Sequence, residues 1–137
     1  MKINTPISVG ELVDKITILE IKSVMIKDED KLKEVENERR QLTMKLAEIT
    51  DPRLVKRNFE LTRIFALKAD LHATNLGLWK IEDQIRECER NKDFGDEFVR
   101  LARAVYFTND KRSDVKKSIN LLTESGFVEE KSYEDYK

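Results

Sequence analysis

The architecture of the chain follows from one segment near its N-terminus, Ile7-Ser8-Val9-Gly10-Glu11-Leu12-Val13-Asp14-Lys15-Ile16-Thr17-Ile18-Leu19-Glu20-Ile21-Lys22. Ser8 and Glu11 have the spacing of a capping box, in which the serine hydroxyl accepts from the amide three residues on and the glutamate reaches back. Apolar residues then follow on one face, through Leu12 and Ile16, and on a weaker second face. Because a helix with two apolar faces is packed on both, the segment predicts a central helix that runs to about Lys27.

The composition excludes several classes of function. The chain has 137 residues, of which 39% are charged, and its formal net charge of −1 argues against electrostatically driven nucleic-acid binding. It has one cysteine, Cys88, and one histidine, His72, so a single chain cannot build a disulfide framework or a two-histidine metal motif. Its glycines do not fall in a phosphate-cradling spacing. We therefore expect no metal, no cofactor and no nucleic-acid partner.

Length and hydropathy bear on the number of domains and on the compartment. The apolar runs are too short to span a membrane, and residues 1–6 lack the apolar stretch of a signal peptide. We therefore expect a cytoplasmic protein without a membrane partner. The length is that of one domain, so we expect a single helical domain over residues 1–137, with an irregular tail over residues 127–137.

Helical periodicity continues beyond the first helix and leaves no room for strands. A second helix is predicted from about residue 31 to residue 50, with Asp30 as its N-cap and charged outer faces. A third pattern runs from about residue 52 to residue 91. A straight helix of that length would approach about 60 Å, so we expect a kink or break at Gly77.

The fourth helical segment completes the predicted fold. It begins after Asp93, its predicted N-cap, and ends at Ser125-Gly126, although a second cap at Thr108 or Asn109 would divide it. The four segments predict an all-α protein, an antiparallel helical bundle with an N-terminal helical hairpin and one long helix. The exposed part of that long helix favours a homodimer, in which it pairs across a two-fold axis.

Several polar side chains fall where the periodicity places apolar ones, and they form the candidate site. Advancing each helix by about 100° per residue puts Glu20 within the apolar arc of the first helix and Asp14 within its weaker stripe. On the third helix polar residues interrupt the apolar seam, and on the fourth the seam turns cationic and rich in amides. The candidate ligand-binding residues are Glu20, Asn75, Trp79, Glu82, Arg86, Tyr106, Asn109, Arg112 and Lys116.

Three interpretations of these residues stay open, because charges in a helix seam are costly unless they are paired. In the first, the residues form an internal network in which the two glutamates are held by the cations. In the second, the fourth helix ends near Thr108, so that Arg112 and Lys116 face water. In the third, the residues line a cleft between helices that binds a small polar or anionic ligand.

The same residues support two functions of different classes. The favoured one is a non-enzymatic binding or assembly module, because the sequence has no visible nucleophile–base pair or metal cluster. The alternative is a small all-helical enzyme that acts on an anionic metabolite. In that enzyme the three cations Arg86, Arg112 and Lys116 would hold the anion, and Glu20 or Glu82 would serve as acid or base.

Four blocks of the chain are distinctive, namely residues 7–22, residues 78–86, residues 101–112 with Tyr106, and residues 129–133. Together they resemble a family of short bacterial and phage proteins that is known as a domain of unknown function. The resemblance covers most of the chain. It implies a small helical protein, and it transfers no activity and no functional residue.

Overall fold

The computed structural model describes residues 1–53, 60–127 and 129–137, and these residues form four α-helices. The helices are α1 (Val9–Met25), α2 (Glu29–Thr50), α3 (Leu61–Arg90) and α4 (Asp96–Leu122). The described residues contain no strand, and the helices pack against one another as an all-α bundle, which confirms the predicted fold class. Within the same residues no helix is both long enough and apolar enough to cross a membrane.

α1 begins where the capping box predicts, but only half of the box forms. Ser8 Oγ accepts a hydrogen bond from the Glu11 amide at 3.0 Å. The Glu11 carboxylate does not turn back to the Ser8 amide. It pairs instead with Lys116 of α4, at 2.7 Å. The sequence predicted a capping role for the Glu11 side chain, and the structure instead places its carboxylate in a contact between helices.

Gly10 allows α1 to approach α4 closely. A Cβ on Gly10 would lie 2.6 Å from the carbonyl oxygen of Lys116 and 2.8 Å from Asn120 Oδ1. The Gly10 amide donates to that Asn120 oxygen at 2.7 Å, and the Val9 amide donates to Ser125 Oγ at 3.2 Å. The N–H groups that the start of a helix leaves without an intrahelical acceptor are therefore satisfied here by α4 and the segment after it.

α2 and α3 differ from their predicted boundaries. The N-cap of α2 is Asp28, which accepts from the Lys31 amide at 2.9 Å, and not Asp30. Residues 52 and 53 form a turn, and most of the predicted start of the third helix, residues 54–59, lies outside the described residues. α3 passes through Gly77 without a break, and its 30 residues make it about 45 Å long.

α4 is one continuous helix. It runs through Thr108 and Asn109, so the predicted division there is wrong, and it ends at Leu122, before Ser125. Its N-cap is Gly95, whereas Asp93 accepts from the Gly95 amide at 3.1 Å in the preceding turn. A continuous α4 carries the predicted polar seam past the middle of the helix, alongside α1.

The hydrophobic core lies where α1 meets the other three helices. Its buried cluster consists of Leu12, Val13, Ile16, Leu46, Leu71 and Ile119. This cluster contains no residue from the far part of the α3–α4 hairpin, which we call the hairpin end and define as residues 81–106. There the buried apolar residues are Cys88 and Leu101, while Phe94 and Val99 are about half exposed. We call the packed region where α1 meets the other three helices the junction. The hairpin end is thinner, because it contains only parts of α3 and α4 and the turn between them.

Candidate functional site

Asp14 is the centre of a polar network between α1, α3 and α4. Its side chain is 1% exposed. Arg112 Nε donates to Asp14 Oδ1 at 2.9 Å, and Arg112 Nη2 donates to Oδ2. Asn75 Nδ2 donates to the same Oδ1 at 2.9 Å and to Thr17 Oγ1 at 2.9 Å. One buried carboxylate is thus shared by an arginine and an amide from two other helices.

These contacts keep Asp14 ionised. Burial alone would raise its pKa, but the hydrogen bonds from Arg112 and Asn75 and the charges of Arg112 and Lys116 outweigh burial. The pKa of Asp14 consequently lies below its ordinary value. The hydrogen bond to Asp14 in turn raises the pKa of Arg112. Asp14 is buried and Arg112 is 30% exposed, so the pair is a partly buried salt bridge in which each partner compensates the charge of the other.

Lys116 extends the network to the C-terminal tail. Its Nζ lies 2.7 Å from Glu11 Oε2, 2.7 Å from Glu129 Oε2 and 3.9 Å from Asp14 Oδ2. Ser8 Oγ donates to the second oxygen of Glu129 at 3.0 Å. Burial alone would lower the pKa of Lys116, but its hydrogen bonds to Glu11 and Glu129 outweigh burial and raise it. This buried cation is therefore fully charged.

A cleft of about 380 Å³ opens beside the network, between α1, α3 and α4. Its apolar lining residues are Ile18 and Ile21 from α1 and Leu78 and Trp79 from α3. Its polar lining residues are Asn75, Glu82, Asp83, Arg86 and Arg112. The lining therefore combines apolar and charged side chains, and the volume is within the range of clefts that bind small molecules.

The structure brings five predicted site residues together at this cleft, namely Asn75, Trp79, Glu82, Arg86 and Arg112. Lys116 does not line the cleft, because it lies in the network with Glu11 and Glu129. Glu20 is also elsewhere. It pairs with Lys68 at 2.6 Å, and its other oxygen lies 3.7 Å from His72 Nε2.

The two remaining predicted residues lie under the C-terminal tail. Tyr106 packs against Phe107 and Tyr136, with ring centroids 4.9 Å and 5.1 Å away. The backbone oxygen of Asn109 accepts from Lys131 Nζ at 3.3 Å. Neither residue lines the cleft between α1, α3 and α4.

An internal network does exist, but its carboxylates are not the predicted ones. Glu82 pairs with Arg86 of its own helix at 2.7 Å, and the two side chains are 47% and 68% exposed. Asp14, Glu11 and Glu129 take the place of Glu20 and Glu82 beside Arg112 and Lys116. The suggestion that Arg112 and Lys116 face water is wrong, since α4 continues and Lys116 is buried. Arg112 belongs to both the network and the cleft.

Three carboxylates of the network are absent from the predicted site residues. The sequence places Asp14 within the weaker apolar stripe of α1. Its spacing of four and seven residues from Ile18 and Ile21 puts the three side chains on one face of the helix, and both isoleucines line the cleft. Glu11 was explained by its capping role. Glu129 lies in a tail without periodicity, so no pattern pointed to it.

The described residues contain no group of three or more histidine, cysteine, aspartate or glutamate side chains placed to hold a metal ion. Asp14 and Glu11 instead have their charges compensated by Arg112 and Lys116. The carboxylates of the network are therefore occupied by cations of the chain itself.

The helices and the cleft define a small all-α protein with a cleft between its helices. The chain belongs to a family described as "Family of unknown function (DUF6165)", which matches residues 1–136. This match confirms the membership of a family of unknown function that the four blocks predicted. No curated protein and no solved structure matches the chain.

Proposed function

We propose that this protein is a binding module whose cleft holds a small molecule with an anionic group and an apolar body. The observation that carries this proposal is the position of Arg112. Its Nε and Nη2 pair with Asp14, which uses one edge of the planar guanidinium. Nη1 lies at the opposite edge, and no described residue accepts from it, although the side chain lines the cleft and is 30% exposed.

The pair with Asp14 prepares Arg112 for an anion. An arginine that is already held in one rotamer loses little conformational freedom when it binds a carboxylate or phosphate oxygen. Asp14 is fully buried and fixed by Asn75, so it holds the guanidinium against the cleft before any ligand arrives. The apolar side chains of Leu78 and Trp79 can then cover the body of the ligand.

Binding is favoured over catalysis by the positions of the two candidate acids. Glu20 lies away from the cleft, beside Lys68, and Glu82 pairs with Arg86 at the cleft. A general acid or base must reach the reacting group of a ligand directly or through one water. Glu20 fails this requirement for a ligand beside Arg112, and Glu82 has its charge compensated by a neighbour in its own helix.

The single tryptophan gives a direct test, because Trp79 lines the cleft and its fluorescence reports only on that place. We expect a saturable change in fluorescence on titration with an apolar carboxylate such as 4-methylpentanoate or 3-phenylpropanoate. Ile18→Glu puts a negative charge in the lining and should weaken binding at least about tenfold. Val24→Glu, at an exposed position of the same helix, is the matched control and should bind as the wild type does.

Two results would contradict the proposal. One is the absence of a saturable change with either carboxylate and with the two amino acids of the same side chains, leucine and phenylalanine. The other is equal affinity of Ile18→Glu and Val24→Glu, both shown to be folded by circular dichroism. Leu78→Glu provides a second variant of the lining if Ile18→Glu does not fold.

We also propose that the protein forms a homodimer through the α3–α4 hairpin. This proposal is supported by three apolar side chains that are about half exposed, namely Phe65 of α3, Phe94 of the segment that joins the two helices, and Val99 of α4. Sedimentation at tens of micromolar should then give a species of about twice the chain mass of 16.1 kDa. A single species at the mass of one chain would contradict the homodimer.

A further inference from the structure

The amide of Asn75 gives the cleft a hydrogen-bond acceptor in a fixed position. Asn75 Nδ2 donates to both Asp14 Oδ1 and Thr17 Oγ1. Both partners require a donor, because a carboxylate only accepts and because the Thr17 hydroxyl gives its hydrogen to the Asp14 carbonyl oxygen, at 2.8 Å. The amide therefore has one orientation, with Oδ1 turned away from these two partners.

Asn75 Oδ1 has no donor among the described residues. Asn75 is only 5% exposed, and it lines the cleft. Since the described part of the chain has no fully buried side-chain oxygen or nitrogen without a partner, Oδ1 must be accessible. The cleft is the surface that Asn75 lines, so Oδ1 is an acceptor presented to a ligand there.

This acceptor and the free edge of Arg112 belong to neighbouring side chains that line the same cleft. Arg112 Nε and Asn75 Nδ2 both donate to the same oxygen of Asp14, each at 2.9 Å, so the two side chains are neighbours. The cleft is thus lined by a residue with a cationic donor, Arg112 Nη1, and by a residue with a neutral acceptor, Asn75 Oδ1. Asp83 adds a negative charge to the lining and has no ion-pair partner in the described parts of the chain.

We propose that the ligand is a free amino acid with an apolar side chain, an inference that rests on the proposed function. Its carboxylate accepts from Arg112 Nη1, and its ammonium group donates to Asn75 Oδ1 and is favoured by the charge of Asp83. Its side chain packs against Leu78 and Trp79. An amino acid carries a carboxylate, which accepts, and an ammonium group, which donates, on one carbon atom. These two groups match the donor of Arg112 and the acceptor of Asn75.

Simple anions fit this pair of groups less well. A carboxylate without an amino group would satisfy Arg112 and would leave Asn75 Oδ1 covered by the ligand without a donor, which is costly. A phosphate would place a second negative charge against that oxygen and against Asp83. The donor and acceptor together therefore select for a ligand with its own N–H group.

Matched probes with one side chain test this inference through Trp79 fluorescence. The set for leucine is L-leucine, N-acetyl-L-leucine, 4-methylpentanoate and L-leucinamide, and the set for phenylalanine is built in the same way. We expect the better of the two free amino acids to bind at least about tenfold more tightly than its carboxylate without the amino group. We expect the amides, which lack the carboxylate, not to saturate.

The outcomes separate this inference from the proposed function. Equal affinity of the amino acids and the simple carboxylates overturns the inference and leaves the proposed function standing. No saturation by any member of either set overturns both. Tighter binding of the N-acetyl compounds than of the free amino acids overturns the assignment of a free ammonium group, in favour of a peptide-like ligand.

Asp83→Asn gives a readout that a structural role would not produce. Asp83 is exposed, so the variant should fold, and it should weaken the amino acid about threefold while leaving the simple carboxylate equally or more tightly bound. Asp114→Asn, at an exposed position of α4 away from the cleft, is the control and should change neither affinity. Parallel weakening of both probes by Asp83→Asn would contradict the placement of the ammonium group.

Discussion

The junction and the hairpin end use the same charged residue types for different purposes. In the junction the ion pairs join separate helices, as between Asp14 of α1 and Arg112 of α4. At the hairpin end they lie within one helix, three or four residues apart, as between Glu82 and Arg86. Exposed pairs of the second kind contribute about 0.3–0.5 kcal/mol, whereas breaking a buried pair by removing one partner costs about 3–5 kcal/mol.

The two kinds of ion pair determine which arginine of the cleft has a fixed position. Arg86 and Arg112 both line the cleft. Arg86 is held only by an exposed neighbour on its own helix, so water and salt compete with that contact. Arg112 is held by a carboxylate that water does not reach, so its orientation is part of the fold. A cation is useful as an anchor for a ligand when its position does not depend on the solvent.

The largest effect is expected for Asp14→Asn. Asparagine keeps the shape of the side chain but leaves Arg112 and Lys116 without the buried charge between them, so the free energy of unfolding should fall by about 3 kcal/mol. Urea unfolding followed by circular dichroism measures this change. A loss below about 1 kcal/mol would mean that the buried pair is energetically no different from an exposed one.

Two glycines provide a second contrast. Gly10→Ala places a Cβ 2.6 Å from the backbone oxygen of Lys116, so α1 and α4 must move apart, and we expect a loss of about 2 kcal/mol. Gly77→Ala is the matched control on α3, where a Cβ meets nothing within 4 Å. It should stabilise the protein by up to about 1 kcal/mol, because alanine favours the helix. The same measurement serves both variants, and equal effects would show that α1 is not tightly docked on α4.

Protonation of Asp14 at low pH should destabilise the folded protein. A carboxyl group whose pKa is lower in the folded state contributes stability that is complete above its unfolded pKa of about 3.9 and is lost as the pH falls through its folded pKa. We therefore expect the free energy of unfolding of the wild type to fall as the pH drops below about 4. The Asp14→Asn variant should show a flatter profile over the same range. Parallel profiles would contradict the lowered pKa of Asp14.

The smallest effect is expected at the hairpin end. Glu82→Gln removes an exposed carboxylate that pairs with Arg86, so the free energy of unfolding should change by less than about 0.5 kcal/mol. Thermal unfolding at low and high salt should place the variant close to the wild type in both. A loss approaching that of Asp14→Asn would remove the distinction between the two regions.

The fold was predictable from sequence because helical periodicity is local. It gave four helices and identified Asn75 and Arg112 as polar residues on inward faces. It misplaced the breaks, since neither Gly77 nor Asn109 interrupts its helix. A glycine lowers helix propensity by only about 1 kcal/mol, which packing against other helices outweighs.

The candidate site was less predictable because its pairs join distant parts of the chain. Periodicity shows the face of α3 on which Glu82 lies, but it does not show whether another helix covers that face. In the structure the Glu82 side chain remains about half exposed. Asp14 and Arg112 are 98 residues apart, so their pairing depends on the angle at which α1 meets α4. Glu129 joins the network from a tail that has no helical pattern at all.

The contacts between the start of α1 and the end of the chain also bear on the order of folding. The bonds from Gly10 to Asn120 and from Ser8 to Glu129 span 110 and 121 residues. Closing such long loops costs chain entropy that local contacts do not require, whereas α3 and α4 are joined by a short turn. We therefore expect the α3–α4 hairpin to form early and the docking of α1 to come last. Arg112 then acquires its fixed orientation only in the final step, so we expect a partly folded form in which α1 is not docked to lack the anchor of the proposed site.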